Sequence, residues 1–334
     1  MRPVKRWKRA AALVCAALML GACAQKEPDA EEKDENLIVV GFSEVGAESD
    51  WRVANTESMK NTFVEEKGYE LMFHDAKQKQ DSQIAAIRNY ILQEVDYIVL
   101  APVVEVGWDE VLMEAKDAGI PVIVVDRMVK VEDDSLYAAW VGADFRKEGD
   151  TAMQWLEEEL KRQGRDKEPL YIVHVQGTEG ASAQIGRTEG LEAGLSAHPN
   201  WKLAARLSGE FTQAKTYEVV LELLSQGTDV DVIYCENDNS AFGAIQALEE
   251  KGVSYGADGD VIIISFDATR AGLTACLEGK INLDVECSPL HGPRVEKIIR
   301  QLENGETPEK NQFVEEGYFT RENLTEEFIT EREY

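Results

Sequence analysis

Basic residues are scarce in this chain. It has 35 Lys+Arg against 63 Asp+Glu over 334 residues, a formal net charge of −28. So acidic a surface repels anionic polymers and argues against a nucleic-acid partner, whose phosphates call for a basic patch. Histidine is scarcer still. His74, His174, His198 and His291 are the only four, and no two share a metal-ligand spacing on one element, so no metal set and no cofactor is expected. There is no Walker loop, no GxSxG elbow, no HExxH and no calcium loop; Asn237-Asp-Asn239 lacks the glycine and later glutamate such a loop needs. Cysteine is sparse and unpaired in pattern. Outside the first 23 residues only Cys235, Cys276 and Cys287 remain, an odd number without a CxxC, which reads best as three small buried thiols although one disulfide is open to an exported chain. Long apolar runs are missing, and the mean hydropathy of −0.33 excludes a polytopic membrane protein.

The most apolar run is short and N-terminal. Arg2, Lys5, Arg6, Lys8 and Arg9 precede residues 10–20, too few for the roughly 20 a membrane span needs but right for an export signal. Leu20-Gly21-Ala22-Cys23 follows and resembles a bacterial lipobox, in which the chain is cut before the cysteine and its sulfur is acylated. Residues 1–22 are therefore expected to be a lipoprotein signal peptide and Cys23 the lipid attachment. Residues 23–36 read as an acidic flexible tether, and the protein as anchored to the extracytoplasmic face of the membrane.

From residue 37 the chain alternates short apolar runs with amphipathic segments. Strands are predicted at 37–42, 70–74, 97–101 and 120–126, with helices over 50–67, 82–94 and 108–118 between them. After Gly142-Ala143-Asp144 the pattern restarts, with helices over 144–163, 181–198, 212–226, 240–251, 269–278 and 292–303. Strands of this half fall at 170–175, 201–207, 230–235, 260–266 and 281–286. Such alternation predicts an α/β protein with parallel sheets, and the restart predicts two doubly wound lobes rather than one very long sheet. Ligands of such folds sit outside the carboxyl ends of the strands. Those ends carry Trp51, Arg52, Asp126, Arg127, Phe211, Asn237 and Asp267. The mixture suits a sugar: carboxylates, amides and guanidinium forks serve its hydroxyls, and aromatic faces take its C–H patches. Each residue has a plainer alternative. Asp126-Arg127 can be a structural ion pair, Trp51 a core aromatic, and Glu44 and Glu48 solvated loop charges.

The stretches Val40-Gly-Phe-Ser-Glu-Val-Gly-Ala-Glu-Ser-Asp-Trp-Arg52, Lys79-Gln-Asp-Ser-Gln83, Ala101-Pro-Val-Val104 with Gly107-Trp108, Val125-Asp-Arg127, Gln176-Gly-Thr178 with Gly180-Ala-Ser182, and Glu236-Asn-Asp238 with Gly243-Ala-Ile-Gln-Ala247 carry a family likeness. Together they resemble the periplasmic sugar-binding proteins of ABC importers, of the ribose/galactose type, and within them the galactofuranose binders. The likeness covers about 37–330. It implies a type I periplasmic binding protein fold, with 37–143 plus 289–314 as the N-terminal lobe and 144–288 plus 315–334 as the C-terminal lobe. Three hinge crossings are implied near 142–145, 286–290 and 312–318. It implies a monosaccharide held by Trp51, Arg52, Glu44, Asp126, Arg127, Arg187, Phe211, Asn237 and Asp267, with no catalytic residue, and delivery by a monomer to an ABC permease. Ribose binders carry a Gln near the last hinge where this chain has Glu286 or Cys287, which puts ribose itself in doubt. Docking on a membrane histidine kinase or chemoreceptor is the alternative use of the same lobes. A sugar-responsive DNA-binding repressor would need a basic helix-turn-helix where this chain has an export signal.

Overall fold

The computed structural model describes residues 37–334; the signal segment, Cys23 and the tether lie outside the described residues. The first half contains β1 (Ile38–Glu44), α1 (Asp50–Thr62), β2 (Tyr69–Asp75), α2 (Gln80–Leu92), β3 (Tyr97–Leu100), α3 (Asp109–Asp117), β4 (Val122–Val125) and β5 (Ala139–Gly142). The second contains α4 (Phe145–Gln163), β6 (Leu170–Gln176), α5 (Ser182–Ala197), β7 (Trp201–Ser208), α6 (Gln213–Ser225), β8 (Val232–Cys235), α7 (Asp238–Lys251), β9 (Ile262–Asp267), α8 (Arg270–Leu277) and β10 (Leu283–Glu286). The chain ends with α9 (Gly292–Glu303), β11 (Asn311–Phe313), β12 (Tyr318–Phe319) and α10 (Glu326–Glu331).

Two six-stranded sheets form, one ordered β2-β1-β3-β4-β5-β11 and the other β7-β6-β8-β9-β10-β12. Every pairing is parallel except β10 with β12. The expected two doubly wound lobes are thus present, each with the strand reversal that opens a crevice at the carboxyl ends. The chain passes between the sheets three times, from β5 into α4, from β10 into α9, and from β11 into β12.

The central strands are apolar on both faces. All four residues of β3, β4 and β8 are buried. Alternate side chains feed two cores per lobe. Phe42, Val99 and Ile123 meet Met59 of α1 and Ile298 of α9, whereas Ile98 and Val124 meet Ile87 of α2 and Leu112 of α3. In the second lobe Val173 and Ile233 face Leu248 and Leu273, and Ile172 and Tyr234 face Leu156 and Leu191. Helices α4 and α5 pack backbone to backbone; a Cβ on Gly190 would stand 2.5 Å from the Cα of Gly149.

Two expectations need amendment. The helix predicted over 50–67 stops at Thr62, and a separate 3₁₀ turn spans Glu65–Lys67, because Phe63 turns inward to meet Tyr69 edge-on at 5.1 Å. Strands β5, β11 and β12 and helix α10 have no counterpart in the sequence reading.

Candidate ligand-binding cleft

The carboxyl ends of both sheets face one cleft. Helix starts deliver several of its side chains. Ser49 caps α1, accepting from the Arg52 backbone N–H, and so aims the first turn with Trp51 and Arg52 inward. Asn237 caps α7 while its amide donates to the Phe211 carbonyl at 3.1 Å. Backbone strain aims others. Of the eight non-glycine residues with positive φ among the described residues, Asp126, Glu210, Phe211, Asp267 and Ala268 lie at or beside the cleft. Left-handed geometry costs such residues of order 1–3 kcal/mol, so its concentration here marks a site the fold holds in place. Gly177 makes room for Phe211; a Cβ there would fall 1.9 Å from the Phe211 ring.

The walls are charged yet almost sealed from water. Arg52 forks to three carboxylates: Nη1 to Glu44 at 3.2 Å, Nε to Glu48 at 3.2 Å and Nη2 to Asp126 at 2.7 Å. Arg127 donates to the Val103 carbonyl at 3.0 Å and to Glu48 at 3.3 Å, and lies 5.2 Å over the ring of Phe211 from the other lobe. Arg187 pairs with Glu148 at 2.7 Å, reaches toward Asp267 at 3.7 Å, and donates to the Glu236 carbonyl. Burial pushes the Glu44 carboxyl up to about 7 against the pull of Arg52, and raises Asp267 well above the usual carboxylate range against the pull of Arg187. For Asp126 burial works the same way, but Arg52 and Arg127 outweigh it and leave it below its ordinary value. Glu48 Oε2 and Arg127 Nε have no hydrogen-bond partner within the protein, although both residues wall the cleft. Buried polar atoms are nearly always paired in folded proteins, so these two stand out on the cleft wall.

The lobes meet at the cleft mouth. The Met128 N–H donates to Ser182 Oγ at 2.8 Å, the Glu105 N–H to the Gly180 carbonyl at 3.0 Å, and the Asp50 N–H to Asn239 Oδ1 at 3.0 Å. This is a closed form. Ser182→Ala removes one latch and should cost the closed state about 0.5–1.5 kcal/mol, roughly a 2- to 10-fold shift toward open molecules. Small-angle scattering would show it as a larger radius of gyration; an unchanged radius would mean the latch carries no weight.

A family model for the periplasmic binding protein domain matches residues 40–285. The chain belongs to this family. The galactofuranose-binding protein of Escherichia coli is 36% identical over 308 residues, covering 91% of this chain and 92% of that one. A Mycobacterium smegmatis protein solved in complex with β-D-fucofuranose is 40% identical, with a TM-score of 0.81 over 85% of this chain and 92% of its own. The binding component of an arabinose ABC transporter from Shewanella sp., solved with L-arabinofuranose, is 40% identical, with a TM-score of 0.79 over 85% of this chain and 92% of its own. Family members such as these capture solutes, and this periplasmic binding protein is likewise a binding protein and not an enzyme. Among the described residues no helix is long and apolar enough to cross a membrane.

Eight of the nine side chains singled out from the sequence wall the cleft of this binding protein: Trp51, Arg52, Asp126, Arg127, Arg187, Phe211, Asn237 and Asp267. Glu44 does not. It is wholly buried behind Arg52, with Oε1 taken by Arg52 and by the Val45 N–H, so it acts on the cleft through that guanidinium. Asp126 and Arg127 are adjacent in sequence, but their charged groups come no nearer than 4.0 Å; each pairs instead with α1 or the loop before it. Trp108 packs beneath the cleft and Gln83 braces the strand ends, donating to the Ala101 carbonyl and accepting from the Val103 N–H. The wall also includes Ser49, Phe145 and Ala183, which the sequence does not single out, Cys287 beside the last hinge, and Glu48, which the sequence leaves open between a cleft residue and a solvated loop charge. The three remaining thiols, Cys235, Cys276 and Cys287, are buried and free.

Proposed function

We propose that this protein captures a monosaccharide in its furanose form and hands it to an ABC importer, while a lipid on Cys23 holds it to the outer face of the membrane. The observation that carries the reading is the convergence, from opposite lobes, of Trp51 and Phe211 with the forks of Arg127 and Arg187. Two aromatic faces can sandwich a small ring while the guanidinium groups, Asp126, Asp267 and Asn237 take its hydroxyls. The furanose ligands of the two relatives at 40% identity support the ring form. Lobe 37–143 with 289–314 would rotate against lobe 144–288 with 315–334, and the closed pair would present one surface to the permease. Burying the sugar on closure couples capture to the signal that loading is complete.

A thermal-shift comparison of locked methyl furanosides and methyl pyranosides tests this. A ligand at 100 times its dissociation constant stabilises the fold by about 2.7 kcal/mol. The furanosides should raise the melting temperature and the pyranosides should not, and Arg127→Ala and Asp267→Ala should each abolish the shift. A shift that survives both variants would sink the proposed site. Equal shifts from both ring forms would sink the furanose assignment. Labelling of the exported protein with a radioactive fatty acid, lost in Cys23→Ser, tests the anchor.

A further inference from the structure

Where the cleft adjoins the hinge, each of the three chain crossings brings one acidic side chain to a common point, and one of them, Cys287, also lines the cleft. Glu148 stands in the first turn of α4, just after the first crossing. Cys287 follows β10 on the second. Glu316 lies between β11 and β12 on the third. A carboxylate oxygen from each glutamate and the cysteine sulfur all lie within 4.8 Å of one another. We propose that these three residues form a binding site for a divalent cation of the zinc class, set in the hinge itself.

Several independent features point that way. Glu148 is 4% exposed; its Oε2 is fixed by Arg187 at 2.7 Å, and its Oε1 has no partner beyond the neighbouring Cys287 thiol. Glu316 is oriented in the same manner, one oxygen accepting from the Ser288 N–H at 2.6 Å. Each carboxylate therefore has an outer support, as metal-binding carboxylates generally do. Charge favours a cation too. The guanidinium of Arg187 is the one cationic partner of Glu148 here, and it is shared with Asp267. An entry path exists as well. A cavity of about 540 Å³ opens onto Glu148 and Glu316, and its wall adds Asp144, Glu158, Glu286 and Glu315 against the one lysine, Lys147. Such a funnel concentrates cations.

The donor set selects the ion. A thiolate with two carboxylates suits borderline zinc better than magnesium or calcium, which take oxygen alone. Zinc holds its ligands at about 2.0–2.3 Å, so donor separations of roughly 3–4 Å are needed and small side-chain movements supply them. The donors come from distant parts of the chain, so no spacing motif announces them. An ion there would tie all three crossings together and restrain the hinge.

The test uses the purified protein, stripped of metal with a chelator and titrated with Zn²⁺ alone or Co²⁺ alone. One equivalent of Zn²⁺ should bind, with affinity at least 10-fold lower in Cys287→Ser and in Glu316→Gln. Asp144→Asn, which leaves the three donors intact, should keep the stoichiometry. Co²⁺ should give a thiolate-to-metal charge-transfer band, because Cys235 and Cys276 are sealed in the second lobe's core and only Cys287 joins the cluster. Lack of that band in the parent protein at saturating Co²⁺ overturns the proposal, whether or not the variants fold. So does Zn²⁺ affinity that is unchanged in both donor variants, which would place the ion on surface carboxylates.

Discussion

Arg52→Ala should lower the stability of the protein by about 3–5 kcal/mol, the usual consequence of removing one partner from a buried ion cluster. Arg52 is 3% exposed and is the shared partner of Glu44, Glu48 and Asp126. Without it three carboxylates share a dry space with Arg127, whose link to Glu48 is 3.3 Å long. Glu44 would climb further above the ordinary carboxylate range, since Arg52 is the main group holding it down. Differential scanning calorimetry should show the melting temperature falling by roughly 5–15 °C. Arg52→Lys should fall between, because one ammonium cannot reproduce a fork aimed at three acceptors. A melting temperature for Arg52→Ala within a degree or two of the parent would show that the carboxylates find protons or water at little cost.

So much buried charge is a poor way to make a stable protein. Apolar residues of similar volume commonly do as well or better. The arrangement makes sense when its unfinished hydrogen bonds are counted. Glu48 Oε2 and Arg127 Nε, both on the cleft wall, lack protein partners, and the backbone at Asp126, Phe211 and Asp267 is held in left-handed geometry. A ligand rich in hydroxyls can complete such a set without reorganising it, which spares the ordering cost that usually weakens binding.

The fold was legible because its signal is repetitive. Apolar runs such as Ile98–Leu100 and Val122–Val125 are buried on both faces, and amphipathic segments separate them at even intervals. The elements that escaped are those whose position is set by tertiary contacts. Strand β11 is Asn-Gln-Phe and β12 is two residues long, both at sheet edges and largely exposed, so neither carries an apolar pattern. At the cleft, residues at strand ends were legible, because topology places every strand end there. Phe145 and Ala183 were not, since they stand on the first turns of α4 and α5 and look like ordinary helix starts. Glu44 was visible as a charge beside the cleft, but its place behind Arg52 depends on which way β1 presents its last residue. The cluster at Glu148, Cys287 and Glu316 depends on three crossings meeting, which no local pattern records.

Two buried titratable groups that both feel the charges of Arg52 and Asp126 should give the protein a pH profile that its variants reveal. Glu44, facing Arg52, Glu48 and Asp126, is raised by burial from 4.5 to about 7. Between those values the folded chain keeps a proton that the unfolded chain has lost. The contribution of this carboxyl is therefore greatest below pH 4.5 and declines as pH rises toward 7. His291 behaves in the opposite sense. Burial lowers it from 6.5 to about 4, against the pull of Asp126, and Asn55 Nδ2 donates to its Nδ1 at 2.8 Å, which suits the neutral ring. Its contribution is full above pH 6.5 and is lost as pH falls toward 4, where the unfolded chain takes up the proton first. Each swing amounts to about 3 kcal/mol, and between pH 4.5 and 6.5 the two slopes oppose each other. Glu44→Gln should remove one slope, so that acidification from pH 6.5 to 4.5 destabilises the variant more steeply than the parent. His291→Gln should remove the other, so that the same acidification favours the variant relative to the parent. Urea unfolding at pH 8, 6.5 and 4.5, read where the m-value is constant, measures both differences. Three parallel profiles would mean that neither group changes its protonation on folding, and that the space around Arg52 is wetter than the closed cleft implies.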